Sequence, residues 1–345
     1  MLAAVLKGPN DMILKEIDKP KINENEVLVK IKACAICGTD IRIYKGTKTR
    51  GIRKNSIIGH EISGIITKVG SNIDKFKEKD NVAIAPVLPC GKCYYCKNGK
   101  ENACLNRKGL GYEYDGGFAE YIKLPKDYIE RGNLFKFPSS TSFEEACLAE
   151  PLGCVYNGSE RSEISLNDTV VIIGAGPIGL MHLMLAKLKG AINIIVSEPI
   201  SKRRQLAKKL GANTVVDPNA QDLSKIVFEQ TNNLGADVVI LSLGITKLVN
   251  SASELLKKGG SLNLFGGFPK GQKSSIDPNK IHYDEIWVTG TTACTRSQYE
   301  KALELITNNF IDLKPIISDI FSLEQIDQAI EKANEGSGVK IIVKP

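Results

Sequence analysis

Four cysteines fall within fifteen residues at the spacing of a metal site. They follow the pattern C-x2-C-x2-C-x7-C and are Cys90, Cys93, Cys96 and Cys104. This short spacing predicts a closed tetrahedral zinc site that crosslinks a loop with little core of its own, so the zinc is expected to be structural. An iron–sulfur cluster is the rival interpretation, because C-x2-C-x2-C also opens ferredoxin-type runs. Against it, the fourth cysteine comes seven residues later and no proline follows it.

A second set of possible metal ligands is dispersed along the chain. Cys37 lies in Cys-Gly-Thr-Asp, His60 and Glu61 lie in Gly-His-Glu, and Glu150 lies in Ala-Glu-Pro. One cysteine, one histidine and one carboxylate are ligands from which an open catalytic zinc site is made. Taken singly, each has a plain structural explanation: Cys37 as a small core residue, His60 as a turn histidine, and Glu150 as a helix cap or surface charge. Their separation in sequence does not prove that they converge.

A glycine-rich loop follows the apolar segment Thr-Val-Val-Ile-Ile. It reads Gly174-Ala175-Gly176-Pro177-Ile178-Gly179 and runs into a helical pattern, which is G-x-G-x-x-G in its proper context. The first glycine permits the tight turn, the second the approach of a pyrophosphate, and the third close packing of helix on strand. The helix N-terminus adds N–H groups and partial positive charge. The loop therefore predicts a dinucleotide site.

The next strand ends on a carboxylate that bears on the choice of cofactor. Glu198 follows Gly179 by nineteen residues, where it can accept hydrogen bonds from an adenosine ribose. A carboxylate there repels a 2′-phosphate, so NAD is favoured over NADP. The competing signal is Lys202-Arg203-Arg204, which could neutralise a phosphate. The alternative is a solvated helix face, with Arg203 stacked on the adenine.

The elements that position these residues change character near Glu150-Pro151. From Val27 to about Pro138, short segments rich in β-branched residues, among them residues 57–70 as one strand, predict an antiparallel barrel or sandwich. Beyond Pro151, apolar strands alternate with helices at about 177–189 and 201–210, which predicts a doubly wound parallel sheet. After about Trp287, a helix at 297–308 and a terminal strand could return to the first domain, so that the α/β unit is an insertion.

Composition limits the remaining possibilities. The 345 residues, 42% hydrophobic and 25% charged, suit two globular domains, and no run approaches the ~18 apolar residues of a membrane helix. The N-terminus lacks a basic signal-peptide region, so the cytoplasm is expected. The net charge of +7 is scattered, which favours a lysine-rich solvated surface over nucleic acid binding. Nine cysteines without a secretion signal indicate metal ligation. Only three histidines exist, and His182 and His282 are expected to be structural.

Taken in order, the motifs resemble the zinc-dependent medium-chain dehydrogenase/reductase superfamily over essentially the whole chain. The matching passages are residues 37–40, 59–70, 90–104, 116–121, 150–152 and 174–179. The resemblance implies a GroES-like catalytic domain over residues 1–152, an inserted Rossmann NAD-binding domain over 153–292, and a C-terminal segment, 293–345, that returns to the first. It also implies two zinc ions per chain, an active site in the cleft between the domains, and a homodimer or homotetramer.

The resemblance also implies an activity. Glu150-Pro151-Leu152 looks like the polyol dehydrogenase branch, and residues 265–271 and 281–283 resemble iditol (sorbitol) 2-dehydrogenase-like enzymes. The expected reaction is reversible oxidation of a secondary alcohol of a polyol by hydride transfer to NAD. Cys37, His60 and Glu150 would bind zinc. Glu61 would be an exchanging or outer ligand.

The proton route departs from the family pattern. The resemblance suggests that Thr39 passes on the hydroxyl proton. Many relatives then carry a histidine five residues after the first zinc cysteine, where this chain has Arg42, which cannot act as a base. Proton exit is therefore expected to use water, ribose hydroxyls or a carboxylate.

Several alternatives stay open. Threonine 3-dehydrogenases are also similar and share the Ser-Glu-Pro strand end at residues 197–199. Other secondary-alcohol or sugar-phosphate dehydrogenases fit the same motifs. A noncatalytic, nucleotide-sensing zinc protein is the alternative from another class.

Overall fold

The computed structural model describes all residues from 1 to 345, and the chain divides into two compact units. Unit 1 comprises residues 1–153 and 294–345, and unit 2 comprises residues 154–293. Both boundaries lie one residue from the expected ones. None of the helices combines the length and apolar character needed to cross a membrane.

The secondary structure follows in chain order. The first stretch contains β1 (Leu2–Gly8), β2 (Asp11–Glu16), β3 (Val27–Ala35), α1 (Gly38–Tyr44), β4 (Ser56–Ile57), β5 (Glu61–Val69), β6 (Asn81–Ile84), β7 (Val87–Leu88), α2 (Tyr94–Lys97), β8 (Lys108–Gly109), β9 (Tyr121–Leu124), α3 (Lys126–Glu130), β10 (Leu134–Lys136), α4 (Phe143–Ala146) and α5 (Ala149–Arg161). Unit 2 continues with β11 (Thr169–Ile173), α6 (Pro177–Leu188), β12 (Asn193–Ser197), α7 (Ser201–Leu210), β13 (Thr214–Val216), α8 (Leu223–Gln230), β14 (Ala236–Leu241), α9 (Leu248–Glu254), β15 (Leu256–Leu264), α10 (Pro278–Tyr283) and β16 (Trp287–Gly290). The last stretch contains α11 (Arg296–Thr307), β17 (Ile317–Ser322), α12 (Ile326–Glu335) and β18 (Lys340–Lys344).

A seven-stranded sheet forms the centre of unit 1. Its order is β10-β6-β5-β3-β18-β17, and β9 also pairs with β3. All pairs except β17 with β18 are antiparallel, which confirms the predicted β region and its completion by the C-terminal strand. Strand β3 buries most of its side chains, as expected of a central strand covered on both faces.

Three features of unit 1 differ from the sequence-based expectation. The apolar run at residues 57–70 was expected to be one strand, but it is broken between β4 and β5. Gly59 has φ +92, a left-handed conformation that a side chain would strain, and the chain turns there. The hairpin β1–β2, with its β4 partner, and helix α5 were not expected. The break at Gly59 matters because His60 follows it immediately.

Unit 2 contains a six-stranded sheet in which every neighbouring pair is parallel. The order is β13-β12-β11-β14-β15-β16. Two βαβ halves therefore wind in opposite directions from β11, and this confirms the predicted doubly wound sheet. Ligands bind such sheets at the carboxyl ends of the strands where the order reverses. The glycine loop follows β11 at that point.

His182 is a buried polar residue in the core of unit 2. It lies within α6, is 0% exposed, and packs edge-on against Phe265 with ring centroids 4.8 Å apart. Neither ring nitrogen has a hydrogen-bond partner. Burial lowers the pKa of His182 to about 3, so the ring is neutral in the folded chain.

This burial predicts an acid-dependent loss of stability. Below pH ~6.5 the unfolded chain binds a proton at His182 that the folded chain refuses, so stability falls by up to ~1.4 kcal/mol per pH unit down to the folded pKa. His182→Met removes this proton-linked loss of stability. The melting temperature of the variant minus that of the native protein should therefore increase from pH 7.5 to pH 5. Leu183→Met, a buried change in the same helix, is the control. A gap that does not vary with pH would contradict the assignment.

Candidate active site and metal centres

Strand register brings three distant parts of unit 1 together. Ala35, at the end of β3, lies opposite Glu61 in β5 and opposite Ile342 in β18. Because both pairings are antiparallel, the residues just after β3 meet those just before β5 and at the start of β18. Cys37, His60 and Lys340 lie at these positions.

Three of the predicted catalytic ligands converge there. The ligand atoms of Cys37, His60 and Glu61 all lie within 4.8 Å of one another. Cys37 caps the N-terminus of α1, and its Sγ accepts a hydrogen bond from the Thr39 N–H at 3.4 Å. His60 and Glu61 are buried. One thiol, one imidazole and one carboxylate at this separation form a suitable donor set for a zinc ion.

Asp40 orients two of these ligands. Its Oδ2 accepts from the Cys37 N–H at 2.8 Å, and its Oδ1 lies 3.2 Å from His60 Nδ1. A carboxylate that accepts from Nδ1 leaves the lone pair of Nε2 available to a metal ion, which is the usual arrangement of a metal-binding histidine. Burial opposes a charge on His60, but Tyr112, Asp40 and Cys37 outweigh it and raise its pKa. A metal ion must therefore displace a proton from this ring.

Glu61 is held from behind by a lysine. Lys340 Nζ lies 2.7 Å and 2.6 Å from the two carboxylate oxygens and also donates to the Ile36 carbonyl at 3.1 Å. Burial lowers the pKa of Lys340, but the Glu61 carboxylate outweighs it and raises that pKa. Burial raises the pKa of Glu61 to about 7, and Glu150 acts in the same direction against Lys340. The site thus favours additional positive charge.

Glu150 is beside the cluster but outside the group of three. It is the second residue of α5, is buried, and acts electrostatically on both Glu61 and Tyr112. The carboxylate within 4.8 Å of Cys37 and His60 belongs to Glu61. Glu150 as a zinc ligand therefore stays a prediction.

The hydroxyl of Thr39 is engaged by a cation. Arg42 Nη2 donates to Thr39 Oγ1 at 2.9 Å, one turn along α1. The hydroxyl hydrogen of Thr39 is thus left to donate elsewhere. Since a guanidinium cannot take up a proton, no relay runs from Thr39 through Arg42.

The four clustered cysteines also converge. Cys93 Sγ lies 3.5 Å from Cys96 Sγ and 3.8 Å from Cys104 Sγ, and Cys90 Sγ lies 4.0 Å from Cys96 Sγ. Four sulfurs bound to one tetrahedral zinc stand about 3.8 Å apart, given Zn–S bonds of about 2.3 Å. An iron–sulfur cluster places thiolates on separate irons, so its sulfurs would stand farther apart. The distances fit a single ion.

The thiols of this quartet differ in acidity. Hydrogen bonds from the N–H groups of Cys96 and Leu105 lower the pKa of Cys93 to about 6. Burial raises the pKa of Cys96 to about 12. A central cation would hold all four as thiolates. Arg296 forms an ion pair with both carboxylate oxygens of Glu101, between the third and fourth cysteines, and so ties this loop to α11.

The glycine loop of unit 2 is built as expected. Gly174 has φ +98, and a Cβ on Gly179 would stand 1.8 Å from the Gly174 carbonyl oxygen, so the fold itself requires these two glycines. Gly176 differs. It has an ordinary φ of −68, and the nearest atom to a Cβ there is Arg203 Nη1 at 3.9 Å. The fold therefore does not require glycine at position 176, and the absence of a side chain there leaves an open space at the start of α6.

Glu198 and Ser242 fasten this loop. Glu198 Oε2 accepts from the Ala175 N–H at 2.7 Å, and its Oε1 accepts from the Ile200 N–H at 3.0 Å. Ser242 Oγ lies 2.7 Å and 2.9 Å from the Ile173 and Gly174 carbonyls. Glu198 keeps lone pairs for a ribose.

The basic run after β12 does not act as one group. Arg204 donates to the Glu198 and Pro199 carbonyls and pairs with Asp217 at 2.8 Å, so it is structural. Arg203 faces the open space at Gly176.

Sequence reasoning did not assign roles to Asp40, Lys340, Tyr112 or Ser242. Asp40 carried a signal, since an acidic residue three positions after a helix cap completes a capping box. Lys340 carried none, because it lies 279 residues from Glu61. Tyr112 packs beside His60 with ring centroids 5.6 Å apart. Four cysteines belong to neither set of possible ligands: Cys34, Cys147 and Cys294 are buried, and Cys154 is partly exposed.

Comparison with known proteins agrees with this geometry. Residues 23–133 match the alcohol dehydrogenase GroES-like domain, and residues 177–308 match the zinc-binding dehydrogenase family. A crystal structure from Sinorhizobium meliloti 1021, described as a zinc-binding dehydrogenase bound to NADP, superposes with a TM-score of 0.94 at 31% identity, covering 100% of this chain and 99% of that one.

Curated relatives extend over the same length. Sorbitol dehydrogenase of Bacillus subtilis (strain 168) is 33% identical and covers 100% of this chain and 97% of the relative. L-threonine 3-dehydrogenase of Pyrococcus furiosus is 36% identical, with 95% and 94% covered. D-arabitol-phosphate dehydrogenase of Enterococcus avium is 32% identical, with 98% and 95% covered. Matched over its full length, with both domains in the same order, the chain belongs to the zinc-dependent medium-chain alcohol dehydrogenase family.

Proposed function

We propose that this enzyme oxidises a secondary alcohol of a polyol to a ketone, reversibly, with NAD as the hydride acceptor. The observation that carries the proposal is the convergence of Cys37, His60 and Glu61 within 4.8 Å, behind which Asp40 and Lys340 fix the ligands. Zinc at this position would polarise the alcohol oxygen, and NAD would accept the hydride.

The residues around that site have separate proposed roles. Asp40 presents His60 Nε2, and Lys340 holds Glu61 while neutralising part of its charge. Glu150 supplies a further carboxylate, which we propose would exchange with Glu61, so that three protein ligands would hold the ion at a time. Thr39 accepts from Arg42 and so has its hydrogen free to donate to the substrate oxygen. The proton released on oxidation leaves by water, a ribose hydroxyl or a carboxylate.

Two zinc ions per chain are proposed, one catalytic and one structural. The quartet at residues 90–104 offers four thiolates and no open position, so it has no place for a substrate. The group of Cys37, His60 and Glu61 offers three protein ligands, which suits a catalytic ion with a position left for substrate.

NAD is the proposed cofactor, and NADP is the alternative. Glu198 supports NAD because its carboxylate would meet a 2′-phosphate as a like charge. Arg203 beside Gly176 supports binding of the pyrophosphate, where its charge adds to that of the α6 N-terminus. The Sinorhizobium relative holds NADP, so both cofactors belong in the assay.

The Glu-Pro-Leu segment at residues 150–152 supports a polyol over threonine. The relatives include sorbitol and D-arabitol-phosphate dehydrogenases as well as threonine 3-dehydrogenases, so threonine belongs in the assay. Oxidation of sorbitol, iditol or xylitol with NAD is the expected activity. Turnover of threonine alone would contradict this substrate class while leaving the dehydrogenase chemistry intact.

The two zinc assignments are separable by mutation. Cys37→Ala should lower zinc from two to one per chain and reduce NADH formation by about a thousandfold or more, because a Lewis acid worth several kcal/mol is lost. NAD affinity should change by less than about twofold. Metal content, absorbance of NADH and calorimetric titration with NAD measure these three quantities.

Cys93→Ser is the matched control for that experiment. It also removes one zinc ion, but its main effect should be a lower melting temperature. Full turnover in Cys37→Ala would contradict the catalytic assignment. No alcohol oxidation by the native protein, with nucleotide binding kept in both proteins, would favour a nucleotide-sensing zinc protein.

The open space at Gly176 gives a second prediction. Gly176→Val should fold normally and lose NAD affinity by about tenfold or more, because the side chain would occupy the space proposed for the pyrophosphate. Gly179→Ala should instead destabilise the fold, since its Cβ would collide with the Gly174 carbonyl. Thermal unfolding and NAD titration distinguish the two. Unchanged NAD affinity in Gly176→Val would place the cofactor elsewhere.

The predicted homo-oligomer has a candidate surface in unit 2. Strand β16 is an edge strand whose first residue, Trp287, is 73% exposed, and Tyr283, at the end of the preceding helix α10, is 71% exposed. Bare edges and large exposed aromatics are features that proteins usually cover. We propose that β16 pairs with β16 of a second copy about a two-fold axis, giving a dimer or half of a tetramer. The cytoplasmic location also stays a prediction.

Light scattering coupled to size exclusion tests this surface. Trp287→Lys should lower the oligomeric state, because an unpaired charge would be buried at the pairing edge. Leu166→Lys, which changes another exposed apolar residue of unit 2, should not alter it. A native protein that runs as a monomer would overturn the proposal.

A further inference from the structure

Three cations without acidic partners stand beside the catalytic cluster. Lys48 is half-buried, with its Nζ 4.8 Å from the centre of the Tyr112 ring, and that ring lies 5.6 Å from the His60 ring. One aromatic ring thus separates the ammonium from a metal ligand. Arg42 and Arg107 complete the group, which we term the cation cluster.

The members of the cation cluster are held in place by uncharged groups. Arg42 donates to the Thr39 hydroxyl at 2.9 Å, and Arg107 donates to the Asn102 carbonyl at 2.8 Å. The Lys48 N–H donates to the Arg42 carbonyl at 3.1 Å, which keeps these two residues adjacent. No carboxylate forms an ion pair with any of the three.

This arrangement is electrostatically unfavourable by itself. Burial lowers the pKa of Lys48, and the neighbouring Arg42 and Arg107 lower it further, whereas Cys37 and Asp40 act in the opposite direction. Arg42 and Arg107 are exposed, but a half-buried ammonium beside two like charges raises the free energy of the folded chain unless an anion joins it. Several half-buried cations elsewhere have a carboxylate partner, as Arg204 has Asp217 and Lys280 has Asp284. Lys48 has no such partner, and an anionic ligand would supply one.

We propose that Arg42, Lys48 and Arg107 bind the phosphate of a phosphorylated polyol whose secondary hydroxyl lies at the Cys37, His60 and Glu61 site. This inference rests on the proposed function and narrows its substrate class. Two planar guanidiniums and one ammonium are the groups that recognise phosphate oxygens. A short polyol chain running past Tyr112 would join the two ends.

The number of charges favours phosphate over the other anions considered. Threonine carries one carboxylate and one ammonium, so it has no net charge with which to balance three cations. A neutral sorbitol or xylitol would leave all three uncompensated. A phosphate monoester carries close to two negative charges near neutral pH.

The test compares matched substrates with and without phosphate. The zinc-loaded native enzyme is assayed in phosphate-free buffer with sorbitol 6-phosphate against sorbitol, and with D-arabitol 5-phosphate against D-arabitol. The phosphorylated member should have the higher kcat/KM, chiefly through a lower KM, and this advantage should shrink as salt is added. Lys48→Met and Arg107→Gln should each reduce the ratio of kcat/KM for the phosphorylated over the free polyol by about ten- to a hundredfold.

Lys45→Met is the matched control. It removes an exposed cation at the C-terminus of α1, the helix that carries Arg42, and Lys45 is not a member of the cation cluster. It should leave the ratio within about twofold of the native value. Calorimetric titration with sorbitol 6-phosphate, and separately with inorganic phosphate, measures the anion site without hydride transfer.

The outcomes separate the two proposals. Equal use of free and phosphorylated polyols, with a ratio unmoved by Lys48→Met, would overturn the phosphate site and leave the dehydrogenase standing. Loss of NAD affinity in Lys48→Met, with no change in the ratio, would also overturn it, because the cations would then serve the cofactor. Binding of sorbitol 6-phosphate that is weakened by Lys48→Met, without oxidation of any alcohol, would support the anion site and contradict the proposed reaction.

Discussion

The ion pair between Lys340 and Glu61 is the contact on which the rest of the catalytic unit depends. It joins the first residue of β18 to the first residue of β5, with β3 between them. Both groups are fully buried, so neither tolerates loss of the other: an isolated buried charge costs about 3–5 kcal/mol. The pair can form only when the antiparallel registers on both sides of β3 are correct. The same registers place Cys37 beside His60.

The catalytic unit carries charges of opposite sign in two places. Glu61, Glu150 and Asp40 are buried near the Cys37, His60 and Glu61 site, and together they suit a doubly charged metal ion, with Lys340 paired to Glu61. The cation cluster on the other side of Tyr112 suits an anion. Each group is strained without its partner and relieved with it, which is the usual condition of a site built for ligands rather than for stability. A substrate that is anionic at one end and binds a metal at the other satisfies both.

Local spacing made part of this structure predictable. The cysteine quartet and the glycine loop are short motifs whose geometry is fixed by neighbouring residues, so the sequence alone located them. The alternation of apolar strands and helices was enough to predict the parallel sheet. The break at Gly59 was missed because β-branched residues on both sides continue the strand pattern, and only the backbone conformation shows that the strand stops.

Long-range pairing was harder to predict. Cys37, His60 and Glu61 were selected by residue type, but their convergence follows from strand register, which no short motif records. Lys340 has no signal at all, because its role depends on pairing across 279 residues. Glu150 is the opposite case. A family motif in the sequence marks it as a ligand, but its carboxylate is not among the three groups that lie within 4.8 Å of one another. The cation cluster likewise joins Arg42 of α1 to Lys48 and Arg107, which lie in loops.

The position of β18 also bears on how this chain acquires its structure during synthesis. Unit 2 is continuous in sequence and can complete its sheet once residue 293 has left the ribosome. Unit 1 cannot, because its last strand belongs between β3 and β17 rather than at an edge. Until β18 emerges, Cys34 and Ala35 at the end of β3 lack their partners on that side, although β9 can already pair with residues 27–30, and Glu61 lacks its lysine. The sheet of the nascent catalytic unit therefore stays incomplete during this interval, which is when a chaperone would be most needed.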